Sequence, residues 1–407
     1  MQMRIAMTGY GAVTPLGLGV DALWSGLIEG RSGVRELERL DVAWADLPVR
    51  VAAPVTADLE ATLGGVRARK LDRSQQMALI ATDEAWRDAG LRDCDPERLA
   101  VSVGTGVGGV QTLLDQDDVL ESRGPRRVSP RTVPMLMPNG ASAQISIEYA
   151  AKAGVFTPAS ACASGAEAIA LGARLIRDGD ADVVIAGGVE AAITPLTLAG
   201  FAQAQALAKP DGGPPERLSR PFDAERRGFV LGEGAGIVIL ESETHAAARG
   251  GRVHAWLAGW GITSDAHHIT GTEPSGTGQI RAIHKALTVG GLTTNDVDHV
   301  NAHATGTIIG DRAEAQALRT VFGESMNVTA PKGALGHLVG GAGALEAIIT
   351  ARTIESDVIP ATANLQNIDP EIHLDVVSET RRKSVRSAVS NSFGFGGQNV
   401  TLAMCAA

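Results

Sequence analysis

Aromatic residues make up only 3% of this 407-residue chain, against 49 glycines, so its elements are expected to approach closely through small side chains. Basic residues are outnumbered, and a net charge of -10 argues against general nucleic-acid binding, which needs clustered Lys and Arg over a basic face. Any anionic partner must therefore be met by a local patch. Cysteine is scarce: Cys94, Cys162 and Cys405 leave one unpaired under any intramolecular scheme and show no CxxC spacing. Neither a disulfide framework nor a zinc site is indicated, and the HExxH spacing is missing too. No stretch is long and apolar enough to span a bilayer, and no charged leader with a long apolar run precedes the first strand, so the expectation is a cytoplasmic protein. Histidine is absent from the first half, because all nine lie at or after position 245.

What remains is ordinary globular composition, 44% hydrophobic and 20% charged, in a chain long enough for one large domain or two medium ones. Its most telling stretch is Ala159–Ala170. A short apolar run, Gly154–Pro158, leads to Cys162, and an Ala-rich helical pattern then runs to Arg177. This places Cys162 at a strand-to-helix turn, where helix-end N–H groups favour a thiolate and can face an oxyanion. Taken alone, the residue reads equally as a small buried cysteine packed under a helix. Any imidazole assisting the thiol must come from the second half. His303, in Asn301–Thr307, and His337, five positions after Lys332, are the candidates.

Apolar strands at Arg98–Val103, Asp182–Gly188 and Gly236–Leu240 alternate with helical patterns such as Val20–Gly30 and Gln75–Ala89. That predicts a mainly parallel α/β sheet covered on both faces. Gly104–Gly109 satisfies G-x-G-x-x-G, but no acidic residue closes a second strand about 20 residues on. A glycine turn allowing close backbone approach is the better reading. Gly336–Ile348 echoes Cys162–Ile169, suggesting two similar halves joined near residue 245. Glu36, Glu38 and Arg39 mark a polar loop. Gly124–Gly140 reads as an irregular connection whose Met135, Leu136 and Met137 are covered by a partner subunit or an acyl ligand. Basic residues gather at Arg67, Arg69 and Lys70 and again at Arg126 and Arg127, with Lys209 in a later loop.

Ala161–Gly165, Asn301–Thr307, Lys332–His337 and Asn391–Gly397 together resemble the β-ketoacyl-acyl-carrier-protein synthases, from about Arg4 to the C-terminus. Within that family the likeness is to the type II elongating enzymes and the ketosynthase subunits of type II polyketide pathways. The resemblance implies the thiolase fold: two similar α/β halves in a five-layered αβαβα arrangement, residues 1–245 carrying the cysteine and 246–407 the two histidines. It implies decarboxylative Claisen condensation of malonyl-acyl carrier protein with an acyl chain held as a Cys thioester. The alternative is a ketosynthase subunit working as a heterodimer with a chain-length factor. Substrates would ride on the phosphopantetheine of acyl carrier protein, with no further cofactor and no metal, and the chain would pair with itself or with that homologue.

The resemblance also distributes roles. Cys162 is the nucleophile, as suits a thiolate, which attacks thioesters readily and yields another thioester. His303 and His337 donate to the enolate, and the backbone N–H groups of Cys162 and Phe395 form a second oxyanion hole. Lys332 pairs with an acid, Glu314, to hold the histidine loop, and Asp311 supports the same loop. Thr305 and Thr307 bind the pantetheine arm, Phe393 gates the thiol, and Thr270 lies beside Lys209 at the entrance. Arg67, Arg69, Lys70, Arg126, Arg127 and Lys209 form the carrier-protein rim. Departures from the family pattern are Ala304, Gln398 and the pair Arg131–Thr132 in the segment that usually lines the dimer interface. A degradative thiolase would want a further cysteine in a glycine turn near the C-terminus, whereas Cys405 lies in a strand-like tail. A catalytically dead partner is disfavoured by the intact Cys162, His303 and His337.

Overall fold

Strands that are apolar at every position need a core on each side, and that requirement organises the chain. The computed structural model describes residues 4–37, 44 and 46–407, so Glu38 and Arg39 of the expected polar loop lie outside the described residues. The first half contributes β1 (Ile5–Thr14), β2 (Leu99–Gly104), β3 (Gly154–Phe156), β4 (Val183–Glu190) and β5 (Gly234–Ser242). The second contributes β6 (Ala255–Ser264), β7 (His299–Asn301), β8 (Asn327–Thr329), β9 (Ser387–Gly394) and β10 (Gln398–Ala406). Their order is β3-β2-β4-β5-β1 in one half and β8-β7-β9-β10-β6 in the other, the same arrangement used twice.

The directions repeat as well. β1/β5 and β5/β4 are antiparallel while β4/β2 and β2/β3 are parallel. β6/β10 and β10/β9 are antiparallel while β9/β7 and β7/β8 are parallel. The sheet is thus evenly mixed rather than mainly parallel, because in each half the last strand returns directly beside its predecessor. A seam of three residue pairs, Ile5–Leu257, Ala6–Trp256 and Met7–Ala255, joins β1 to β6.

Strand periodicity then sorts side chains into layers. Leu99, Val101, Ile185, Ile237 and Ile239 face an outer core with α1 (Arg73–Ala89). Their neighbours Ala100, Val184, Ala186, Val238 and Leu240 face a central core with α2 (Ser164–Arg177) and α5 (Ala342–Ser356). On the far side, Val300, Val328, Val389 and Ala403 pack against α3 (Thr277–Gly290) and α4 (Ile308–Phe322). Helix, sheet, helix, sheet and helix stack as the five layers of the thiolase fold. α1 starts on a capping box between Asp72 and Gln75 and stops at left-handed Gly90, both readable as local signals.

The echoing segments form the central layer, and their small residues have a reason. A Cβ on Gly165 would lie 2.8 Å from the Gly340 carbonyl oxygen, and one on Gly343 would lie 2.9 Å from the Ala166 nitrogen. Only glycine lets α2 and α5 cross this closely. The Gly124–Gly140 connection differs from expectation, since it winds into a turn at Pro125–Arg127 and a short helix at Thr132–Leu136 before the helix Gly140–Glu148. Pro125 opens the turn at its first position, where its missing N–H costs nothing. Val133, Met137, Ile147, Val155 and Phe156 stay exposed on this side of the molecule. Among the described residues, no helix is long and apolar enough to cross a membrane.

Candidate active site

Beyond β3 the chain passes through Ala161 at φ 51° and a 3-10 turn over Ala161–Ala163 before α2 begins at Ser164. Ser164 fixes this turn by accepting from the Ser160 N–H at 2.9 Å and donating to the Ala161 carbonyl at 2.7 Å. The thiol of Cys162 is thereby held just ahead of the helix. The second half closes over it at Gly394, where a Cβ would lie 2.6 Å from the Ser160 oxygen and 3.1 Å from the Cys162 nitrogen. That approach brings the Phe395 N–H onto the sulfur alongside the N–H of Cys162 itself. Burial still dominates, pushing the thiol up to about 11 against the pull of these donors and of Lys332.

Ligating atoms of Cys162, His303 and His337 all lie within 4.8 Å of one another. The two imidazoles meet edge to face, with centroids 5.4 Å apart. Burial first, then the Lys332 charge, holds both well below the ordinary imidazole value, and His337 further lowers His303. Both rings are thus neutral, able to donate one N–H each without carrying a proton in reserve. Neither ring nitrogen of His337 has a partner among the described residues, which leaves them free for substrate. The ammonium of Lys332 beside His303 makes the trio a poor cradle for a metal cation.

The loops carrying these rings are tied down by buried acids. Glu314 accepts from the backbone N–H groups of His303 at 2.9 Å and Ala304 at 2.7 Å, and from the Asn391 amide at 3.2 Å. Lys332 Nζ lies 3.4 Å from His303 Nδ1 and is ion-paired with Glu346. The partner of Lys332 is therefore Glu346 of α5, not Glu314, because the oxygens of Glu314 are occupied by the histidine loop. Burial raises both carboxyls to about 7. Asp311 supports the same loop as expected: it accepts from Phe222 N–H at 2.9 Å and Gly306 N–H at 3.1 Å and pairs with Arg226 at 3.2 Å.

A cavity of about 420 Å³ contains Cys162, His303, His337, Phe393, Phe395, Thr270, Thr305 and Thr307, with Gly106, Val107, Phe201 and Val339 on its apolar side. Phe393 is 9% exposed within β9, edge-on to His303 at 5.9 Å, and so forms a fixed wall and not a gate. Phe395 sits instead in the turn before left-handed Gly396 and Gly397, 37% exposed and 6.5 Å from the Phe201 ring. Of the two rings, Phe395 is the more exposed. Arg67, Arg69, Lys70, Arg126, Arg127 and Lys209 do not line the cavity. Arg67 is ion-paired with Glu148, and the other five are exposed.

Two buried acids escaped the sequence reading, Glu346 and Glu190. Each carried a signal: Glu346 is the only charge between Ala342 and Ala351, and Glu190 ends the otherwise uncharged strand β4. A lone charge in an apolar run implies a buried partner.

The family models described as Beta-ketoacyl synthase, N-terminal domain, and Beta-ketoacyl synthase, C-terminal domain, match residues 2–246 and 254–366. The 3-oxoacyl-[acyl-carrier-protein] synthase 2 of Mycobacterium tuberculosis is 44% identical over 401 residues, covering 98% of this chain and 96% of the relative. The solved ishigamide ketosynthase/chain length factor superposes with a TM-score of 0.92 at 33% identity, covering all of both chains. A type II polyketide acyl-carrier protein in complex with its ketosynthase, bound to the hexaketide, gives 0.92 at 28% identity over the same full coverage.

Proposed function

The chain belongs to the β-ketoacyl synthase family, and from that premise we propose that it lengthens an acyl chain by two carbons through decarboxylative condensation with malonyl-acyl carrier protein. The observation that carries this reading is one thiol and two neutral imidazoles within 4.8 Å in a single cavity. The Cys162 sulfur attacks the thioester carbonyl of an acyl carrier protein. An S–C bond forms, the pantetheine S–C bond breaks, and the thiol proton leaves on the carrier sulfur. In the second step malonyl thioester loses carbon dioxide, and the N–H groups of His303 and His337 bear the charge on the enolate oxygen. The enolate carbon then attacks the Cys162 thioester. Its tetrahedral oxyanion is met by the N–H groups of Cys162 and Phe395, and expulsion of the sulfur with uptake of one proton restores the thiol.

Thr305, Thr307 and Thr270 are suited to hold the pantetheine arm along the cavity, with Lys332 and Glu346 fixing the charge behind the histidines. Acyl carrier protein is the partner that presents both substrates. A second chain covers Val133, Met137, Val155 and Phe156, and it is either a copy or a chain-length-factor homologue, as in the solved ketosynthase pairs. The halves divide at about 245, within the short helix Glu243–Ala248 between β5 and β6. We place the reaction in the cytoplasm and assign it no cofactor beyond the carrier's own arm.

Intact-mass measurement after incubation with a panel of acyl carrier thioesters tests the reading directly. The wild-type chain is expected to gain one acyl group and the Cys162→Ala variant none. An acylated Cys162→Ala protein would sink the nucleophile assignment.

A further inference from the structure

The glycine loop Gly104–Gly109 has the spacing of a phosphate cradle, yet it takes no part in the chemistry above. Its amides surround an internal anion instead. Glu190, the last residue of β4, is 0% exposed. Its Oε2 accepts from the N–H groups of Gly106 at 2.7 Å and Gly340 at 3.1 Å. Its Oε1 accepts from the Thr105 hydroxyl at 3.0 Å and the Val107 N–H at 3.2 Å. A Cβ on Gly106 would lie 2.6 Å from Oε2, so the loop can close on the carboxyl only because that position is glycine. Three backbone N–H groups and one hydroxyl face this group, and their hydrogen bonds oppose the rise that burial imposes on the carboxyl.

These contacts join parts of the site that come from different halves. Gly106 and Val107 form the apolar side of the cavity, and Gly340 follows His337 by three residues and precedes α5. We propose that Glu190 is a positioning residue of the active site: its carboxylate pins the Gly106–Val107 wall to the turn behind His337. Burial is the main reason the Cys162 thiol is raised. The Glu190 charge adds to that rise, whereas the Phe395 N–H and Lys332 oppose it.

The substrate readout of this proposal rests on the condensing-enzyme reading; the thiol readout does not. Glu190→Gln keeps the shape and one acceptor oxygen but removes the charge. Iodoacetamide alkylation of the Cys162-bearing peptide, followed by mass spectrometry across neutral to alkaline pH, is expected to shift to lower pH. At neutral pH the rate should rise about three- to tenfold, as expected for a shift of roughly half to one unit. Thr105→Val leaves the charge in place and removes one donor from the wall. It should keep the wild-type alkylation profile while raising KM for an acyl carrier substrate at least about threefold with kcat retained.

A folded Glu190→Gln protein with an unshifted alkylation profile overturns the placement of this carboxylate at the active site. A Thr105→Val protein with wild-type KM overturns the positioning role, and it decides that point even if Glu190→Gln does not fold. A shifted profile, in a protein whose wild-type form condenses no substrate, supports the placement of Glu190 and sinks the condensing-enzyme reading instead.

Discussion

Lys332 brings a positive charge against two imidazoles that must stay neutral, and Glu346 makes that charge tolerable in an interior position. Both side chains are at most 2% exposed. Removing either one strands the other, so Lys332→Met or Glu346→Leu alone should destabilise the protein by about 3–5 kcal/mol, while the double variant recovers most of that loss. Urea denaturation midpoints of the three proteins measure this. The rescued double variant should still decarboxylate malonyl thioester poorly, because stability and enolate stabilisation are separate debts of the same pair. His303→Ala and His337→Ala belong to the same scale. Each should lower decarboxylation by about 10²–10³-fold, the loss typical of one oxyanion donor, with less effect on acylation of Cys162. Single-turnover assays that show equal loss in both steps would contradict the division. Cys162, His303 and His337 were legible because each sits in a short motif with its own turn chemistry. The partner of Lys332 was not, because Glu346 lies fourteen positions away on a helix whose facing is decided by the crossing with α2.

At the scale of elements, α1 and α5 end near one another and share a histidine. His254, just before β6, is 3.0 Å from Asp88 of α1 and 2.7 Å from Glu355 of α5, with Tyr10, Arg252 and Arg352 around them. Burial lowers the imidazole, but hydrogen bonds and charge from both carboxylates prevail, and its pKa is raised above 6.5. A histidine raised on folding contributes stability that is fully present below its unfolded value and is lost as pH climbs through the folded one. Wild-type stability should therefore fall from about pH 6.5 upward through the raised folded value, and His254→Ala should flatten that slope. Denaturant midpoints across the window test the sign. The crossing of α2 and α5 yields a second prediction. Gly343→Ala places a Cβ 2.6 Å from Ser392 Oγ and 2.9 Å from the Ala166 backbone, and should cost about 1–3 kcal/mol. A neutral effect on the melting transition would mean that the helices can separate. The echo between residues 162–169 and 336–348 disclosed this pair of helices, since identical crowding selects identical small residues. Strand direction left no such trace, because parallel and antiparallel neighbours buried on both faces carry the same apolar runs.

At the scale of the whole molecule, a chain with a net charge of -10 can dock an anionic partner only through a local basic patch. Among the described basic residues, Arg69, Lys70, Arg126 and Arg127 are exposed away from the cavity lining, which suits contact with a carrier body whose arm alone enters. Arg69→Glu with Arg127→Glu should raise KM for carrier-bound substrate several-fold, most strongly at low salt, because steering by exposed charges is screened within about 10 Å at 0.1 M. Turnover of a small pantetheine-only thioester should change little; equal loss with both substrates would remove these residues from docking.

The seam between β1 and its neighbours also sets a timetable. Ile5 pairs with Ser242 on one side and Leu257 on the other, so the first strand to leave the ribosome is completed by partners more than 230 residues behind it. At about 5–20 residues per second that interval is on the order of 10–50 s, during which ten buried-type residues have no sheet to join. Slow translation or scarce chaperone capacity should penalise this protein through aggregation of nascent chains, well before any loss of stability in the finished fold.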